Sequence, residues 1–176
     1  VEELLDGDRI ALLMFLRTTG LGEKYKQYVW DEKSVDLVEG EIDLSKLELK
    51  KLVISPDENG EFDYMLPHSK TPIKFRFLTG RDEREIDSMD KLIIKRDEEK
   101  ISSKVVLRLE RSVTEYDGNR DKIYISNALK KITLIDSRKL RKYITDNEPG
   151  LDFNTTATIL GGGSVSAFFR FGTNFL

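Results

Sequence analysis

No cysteine occurs among the 176 residues. Its absence excludes disulfides, thiol nucleophiles and thiolate-held metals, and it leaves the redox compartment open. Histidine occurs once, at His68, so a site built from several imidazoles is excluded too and no metal or other cofactor is expected. Neither sign of charge dominates: 29 Lys and Arg stand against 32 Asp and Glu, a net charge of −3, which supplies no overall attraction for nucleic acid or anionic lipid. Long apolar runs are missing. The longest, Ile10 to Leu16, is far short of the roughly 20 residues of a membrane helix and has no basic leader or cleavage pattern before it. The first residue is Val1, and further residues are expected upstream of it. A hydrophobic content of 39 % suffices for a real core in one domain or two small subdomains that fold alone. The expected partners are proteins, with no nucleic acid, membrane or small-molecule substrate, and synthesis is expected in the cytosol.

The clearest organisation lies between Phe62 and Glu85. Phe62, Tyr64 and Leu66 alternate with polar neighbours, and the alternation resumes as Ile73, Phe75 and Phe77 after the loop from Pro67 to Pro72; the two prolines lack the N–H a ladder needs and bound a hairpin over about 62–78. Thr79-Gly80-Arg81-Asp82 has capping-box spacing and opens a helix with Ile86, Met89 and Ile93 on its apolar stripe.

Upstream, Ile10 to Leu16 predicts a helix over about 8–18, stopped by Thr18-Thr19-Gly20 and so apolar all round that it is expected to be a core helix buried on nearly all sides, or else to have one face awaiting a partner. Lys24–Trp30 and Val35–Leu44 predict a hairpin over about 24–44, turning at Asp31-Glu32-Lys33-Ser34, with Tyr28, Trp30, Leu37 and Ile42 as bulk. Leu47 to Ile54 fits a short helix or a strand equally. Ser55 to Gly60 is a turn; its Asp57, Asn59 and Glu61 do not make a calcium loop, because the sixth position is Phe62 and the twelfth His68. Downstream, the charge run Lys95 to Lys100 reads as a solvated linker. A helix then begins at Ser102 or Ser103, with Val106, Leu109, Val113 and Tyr116 on one stripe and Gly118 past its end. Another starts at Asp121, and a last one is capped by Asp136 and ended by Pro149-Gly150. From Leu151 alternation returns on both sides of Gly161-Gly162-Gly163, a hairpin over about 151–171. The expected class is α+β: hairpins at both ends around a helical middle over about 80–147. The expected division is an N-terminal helix and hairpin subdomain, 1–78, and a helical segment with C-terminal hairpin, 79–176, together one compact unit. Helix, Gly-Leu link and hairpin occur at both ends, a faint architectural repeat.

Few groups suggest chemistry. His68 has Ser69 beside it and Asp63 nearby, but a Pro-flanked hairpin loop does not supply the buried, oriented imidazole of a catalytic triad. The triple glycine leads into a strand, whereas phosphate-cradling loops lead into a helix. Asp82, Glu83, Glu85 and Asp87 fall on the polar face of their helix beside Arg81 and Arg84, where solvated i, i+4 pairing accounts for them. No catalytic residue is assigned. Two groups suit protein contacts instead. Arg138, Lys139, Arg141 and Lys142 lie off the apolar stripe of the last helix, either a basic face for an acidic partner or a merely solvated one. At the C-terminus Phe168, Phe169, Phe171 and Phe175 alternate such that one internal core cannot easily take them all, and they are expected either to dock on another subunit or to pack back onto the Ile10–Leu16 helix.

Taken in order, several segments resemble the small baseplate hub proteins of T4-type contractile-tailed phages. They are Gly7-Asp8-Arg9 with Leu13 to Arg17, Asp43 to Leu47, Phe62 with Leu66-Pro67-His68-Ser69, and Ile73 to Glu83. Asp136-Ser137-Arg138, Leu140-Arg141, Tyr143-Ile144, Glu148 to Asp152, and Phe168 to Phe175 continue the series. The resemblance implies a non-enzymatic structural subunit of the tail baseplate, working through contacts with other baseplate proteins and located in the virion tail after assembly in the host cytoplasm. The alternative it implies is an assembly chaperone that leaves before the particle is finished. Many relatives carry a Cys-x-x-Cys pair in each terminal hairpin, resembling a four-cysteine zinc site. The corresponding turns here hold Trp30 and Lys33, and Ile159 and Gly162, so no such site carries over.

Overall fold

The computed structural model of the chain describes residues 2–50, 52–96, 103–172 and 175. Helix α1 (Asp6–Leu21) leads into β1 (Lys24–Asp31) and β2 (Asp36–Asp43), and β3 (Leu49–Lys50) follows a 3₁₀ turn. Next come β4 (Phe62–Met65), β5 (Pro72–Phe75), α2 (Gly80–Arg96), α3 (Lys104–Ser112), β6 (Val113–Tyr116), α4 (Lys122–Lys130) and α5 (Leu134–Asn147). The short β7 (Gly150–Leu151), β8 (Asn154–Ile159) and β9 (Ser164–Phe168) close the chain. This is the expected α+β class, with strands at both ends of a largely helical middle. The division does not fall at residue 78. A helical unit comprises Val1–Asp6 and Lys51–Glu148, and a sheet unit comprises Gly7–Lys50 and Pro149–Leu176. The ends of the chain share one unit because β2 pairs with β8, a partner far away in sequence.

In the helical unit the strands order as β4-β5-β6. The Thr79 box forms as its spacing requires: Thr79 N donates to Asp82 Oδ2 at 2.9 Å and Asp82 N to Thr79 Oγ1 at 3.4 Å. Arg76 adds a two-pronged pair to the same carboxylate at 2.7 and 2.9 Å. Burial works against the Asp82 charge, but Arg76 and Thr79 outweigh it and hold the carboxyl down to about 2. The neighbouring acids differ from expectation. They reach across to α3 instead of pairing along their own helix: Asp87 to Lys104 at 2.6 Å, Glu83 to Arg108 at 2.9 Å and Glu85 to Arg111 at 2.5 Å. Rising numbers on α3 meet falling ones on α2 at the Asp87 and Glu83 pairs, so the two helices run in opposite directions. The expected α2 stripe holds only in part, since Ile86 is buried and Met89 is exposed.

The helix begun at Ser103 ends at Ser112, not near Gly118. Val113 and Thr114 are β-branched, and residues 113–116 pair with β5 in place of a further helical turn. Asp117 and Gly118 both take positive φ, 53° and 76°, a turn suited to an Asp-Gly pair. The run Lys95 to Lys100 is partly the end of α2, and its remainder lies outside the described residues. Asp121 caps α4, accepting from Tyr124 N. The cap of α5 is Thr133, not Asp136: Asp136 N donates to Thr133 Oγ1 at 3.2 Å. Asp136 itself is fully buried and accepts from His68 N at 2.8 Å and Ser69 N at 3.0 Å. Burial raises its carboxyl, and the two N–H groups more than offset that and hold it below its ordinary value. One carboxylate thus ties the 67–70 loop to the start of α5.

In the sheet unit the strands order as β1-β2-β8-β9, so the two terminal hairpins form a single sheet. The sheet curls until β9 approaches β1, where the Gln27 amide replaces a ladder rung: Nε2 donates to Phe168 O at 2.9 Å and Oε1 accepts from Arg170 N at 3.1 Å. A Cβ at Gly40, in the middle strand, would lie 2.8 Å from Val29 Cγ2 and 3.0 Å from Ala157 Cβ, so this tight inner face requires glycine. Tyr25, Val29, Ile42, Ala157, Phe169 and Phe175 make its core, against which Ile10, Leu13 and Met14 of α1 pack. At Gly7 a Cβ would fall 1.7 Å from Pro149 O; two backbones cross there with no room for a side chain.

Candidate functional site

The basic face of α5 is present. Leu140 is buried beneath it, while Arg138, Lys139 and Lys142 are exposed and Arg141 is half-buried. Lys142 pairs with Asp146 at 2.8 Å, and Arg141 Nε donates to Ser137 O one turn back at 3.3 Å. The face therefore offers cations at 138, 139 and 141 with one neutralised at 142.

Beside it, α3 and α5 enclose a cleft of about 260 Å³, lined by Val105, Arg108 and Leu109 from one helix and Arg141, Ile144 and Thr145 from the other. Each trio has i, i+3, i+4 spacing, the pattern of one helix face. The floor is apolar, and a guanidinium stands on each wall. The volume lies below the roughly 300–1,000 Å³ of cofactor and small-molecule pockets and suits a single bulky side chain.

The aromatic C-terminus is split. Phe169 and Phe175 are 1 % and 5 % exposed, in edge contact with Tyr25 at 5.5 and 5.8 Å between ring centroids. They belong to this chain's own core, in one cluster with Met14 of α1, so for these two the packing onto the first helix holds and the partner surface does not. The curl of the sheet supplies the internal cover that simple strand alternation does not foresee. Phe168 and Phe171 remain half-exposed and pack edge-on against Phe153; they alone stay available to a partner. Leu176 lies outside the described residues.

Helix α1 also departs from expectation. It runs through Gly20 to Leu21, three residues past the expected end, and ends where Gly22 takes φ 88°; the Thr18 and Thr19 hydroxyls bond back to Phe15 O within the helix. Ile10, Leu13, Met14 and Arg17 face the sheet, but Leu12, Phe15 and Leu16 are 39, 62 and 53 % exposed. A small curled sheet covers only one side of a helix, and this one is apolar on the other side too.

The outer face of the first hairpin is a surface that was not expected. Tyr28, Trp30 and Leu37, expected to supply bulk to a core, are 72, 52 and 58 % exposed. The signal was in the alternation: Tyr25, Val29 and Ile42 occupy one face of the ladder, which puts Tyr28, Trp30 and Leu37 on the other.

His68 is exposed, and only its backbone N–H is engaged. Gly161 and Gly162, at φ 99° and 80°, turn one strand into the next. Asp57 accepts from Lys74 Nζ at 2.8 Å and from the backbone of Asn59 and Glu61; Lys74, with these N–H groups, draws its carboxyl down to about 2. Among the described residues no three His, Asp or Glu side chains gather as a metal would require, and no helix is long and apolar enough to cross a membrane. Compared with protein-family models, curated proteins and solved structures, the chain matches none.

Proposed function

We propose that this chain is a structural subunit of the hub region of a contractile-tail baseplate and acts through protein interfaces. The observation that carries the reading is the ordered set of segments resembling the baseplate hub proteins, which spans most of the chain. Several of those segments meet as joints of the fold. Gly7 packs on Pro149-Gly150, the loop at His68-Ser69 is held by Asp136, and Thr79 to Asp82 forms the start of α2. The exposed stripe Leu12-Phe15-Leu16, the half-exposed Phe168 and Phe171, and the basic face at Arg138, Arg141 and Lys142 are surfaces for neighbouring subunits, since apolar area of this kind is rarely left bare on a monomer.

Quantitative mass spectrometry of purified tails from the phage or element encoding this chain tests the reading. The chain is expected at fixed stoichiometry with other baseplate proteins. If assembly needs it but finished tails lack it, the chain acts as an assembly chaperone, and if tails form normally without it the baseplate reading fails.

A further inference from the structure

We propose that the first hairpin of one copy of this chain docks its outer face, with Trp30 as anchor, in the α3–α5 cleft of a second copy. This rests on reading the basic face of α5 as a protein interface and names what that face binds.

The cleft specifies its occupant. About 260 Å³ in volume and set between Arg108 and Arg141, it has Val105, Leu109 and Ile144 as its apolar part and Glu148 at its edge. Arg108 is paired with Glu83, so the charge left to meet a carboxylate comes from Arg141 and from Arg138, exposed one turn before it on the same helix. The site accepts a bulky apolar residue with a carboxylate beside it. The hairpin carries such a group. Strand β2 pairs with β8 only over Gly40 to Ile42, so the pairs from Tyr28↔Glu39 to Asp31↔Asp36 continue as a two-stranded ribbon. On its inner side Val29 is buried, and on its outer side Tyr28, Trp30 and Leu37 are exposed. Residues 28–39 hold four carboxylates, Asp31, Glu32, Asp36 and Glu39, against Lys33 alone. Asp31 is used inside the turn, accepting from Ser34 Oγ at 2.8 Å, and Glu39 pairs with Lys26 at 2.7 Å. Glu32 and Asp36 flank the turn, exposed, and Asp36, which accepts from Leu37 N at 2.7 Å through one oxygen, keeps its other oxygen to meet an arginine. Val35, at the turn, is β-branched, 68 % exposed and held at φ 55°, a backbone region such residues disfavour and one often retained where a loop must present a surface.

The ribbon thus supplies the apolar anchor and the negative charge, and α3 with α5 supplies the pocket and the positive charge. A contact between two different patches of identical chains is heterologous. A ribbon tip in a cleft buries less than the roughly 1,200 Å² of a standard stable interface, so the association is weak and salt-sensitive.

Sedimentation velocity of the full chain, to about 0.5 mM and at low and high ionic strength, reads the contact. The parent is expected to self-associate at low salt and to dissociate at high salt, with Trp30 emission shifting to the blue as the complex forms; it is the only tryptophan, so the shift reports this site. Trp30→Ser with Leu37→Thr removes the anchor, and Arg138→Glu with Arg141→Glu removes the cationic wall. Each double variant alone is expected to stay monomeric. Mixed, they are expected to form a one-to-one dimer, because each retains the half the other lost. Arg138→Glu with Lys142→Glu, both exposed, repeats the test without the half-buried Arg141. A parent that is monomeric at low salt, variants that associate like the parent, or a mixture that stays monomeric would each overturn the proposal. None of these results alters whether the chain is found in tails, which tests the baseplate reading separately.

Discussion

The two units hold themselves together by different means. In the helical unit, polar groups are buried and answered: Asp136 by two backbone N–H groups, Asp82 by Arg76, and Glu61 by Arg120 at 3.1 and 2.8 Å. Its hydrophobic clusters lie under helices whose charges pair across to one another. Both units pack aromatics, Phe62, Phe75, Phe77 and Tyr143 in the helical unit and Tyr25, Phe169 and Phe175 in the sheet unit. The sheet unit adds places where only a hydrogen atom fits, and further apolar surface faces outward on α1 and the first hairpin. Charge matching closes a surface to partners, and unspent apolar area leaves one open. Exposed apolar side chains are not confined to the sheet unit, since Val53, Ile123 and Leu134 of the helical unit are exposed as well; what differs is how each interior is closed.

This contrast is tested most severely at Gly7. A methyl group there would overlap Pro149 O, so one of the crossing backbones must move. Gly7→Ala is expected to destabilise the sheet unit by more than about 4 kcal/mol, in the range reserved for severe core disruption. Near-ultraviolet circular dichroism should lose the signal of the Tyr25 and Phe169 cluster, while protection of amides in α4 and α5 persists. Loss of protection in both units together would mean that they fold as one, and the contrast would be withdrawn.

Phe169→Ala and Asp136→Ala compare the two modes of stabilisation directly. The first empties a fully buried aromatic site and should cost about 3–5 kcal/mol. The second leaves the N–H groups of His68 and Ser69 without their acceptor and should cost about 2–4 kcal/mol. Urea denaturation followed by hydrogen exchange assigns each loss to its unit. Asp136→Ala costing under about 0.5 kcal/mol would mean that water replaces the carboxylate at no penalty, and that burial of charge is incidental to the helical unit.

Much of this was legible in the chain and some was not, for physical reasons that differ from site to site. The Thr79 box was readable because capping is local: two side chains three residues apart satisfy each other's backbone. The hairpins were readable because alternation and turn residues lie within one short segment. Strand β6 was misjudged because Val106, Leu109, Val113 and Tyr116 fit a helical stripe, although consecutive Val113-Thr114 and the Asp117-Gly118 pair were the competing signal. The pairing of β2 with β8 has no local signature, and that long-range contact decides which residues share a unit. It also decides the fate of the C-terminal phenylalanines: alternation places Phe168 and Phe169 on opposite faces correctly, yet only the curl of the sheet buries Phe175 beside Phe169.

Acid should separate the units as well. Asp82 titrates at about 2 when folded and near 3.9 when unfolded, so the unfolded chain binds its proton first as pH falls. The stabilisation is complete above pH 5 and is lost as pH drops through 4 toward 2, at a total on the order of 1–2 kcal/mol. Asp82→Asn should remove this share of the acid sensitivity, leave that of Asp57, whose carboxyl is also held at about 2, and leave the sheet unit's pH profile unchanged. Equal acid sensitivity in the variant would place the titrating groups elsewhere.

The smallest expected effect on folding is at the exposed side of α1, and its smallness is informative. Phe15 and Leu16 are more than half exposed, so Phe15→Ser with Leu16→Ser removes little buried area. Serine costs helix propensity by a few tenths of a kcal/mol at each position, and less exposed apolar surface offsets part of that. The melting midpoint of the sheet unit should therefore move by no more than the equivalent of about 1 kcal/mol, whereas a buried pair of this size would cost several times more. Incorporation into tails, measured by complementing a knockout with the variant, should fall sharply if this stripe is where a baseplate neighbour sits. A variant that melts far below the parent would show that the stripe packs within the chain in solution, and a stable variant that assembles normally would show that the apolar face is bare. Only a stable variant that fails to assemble fits a sheet unit completed by its neighbours.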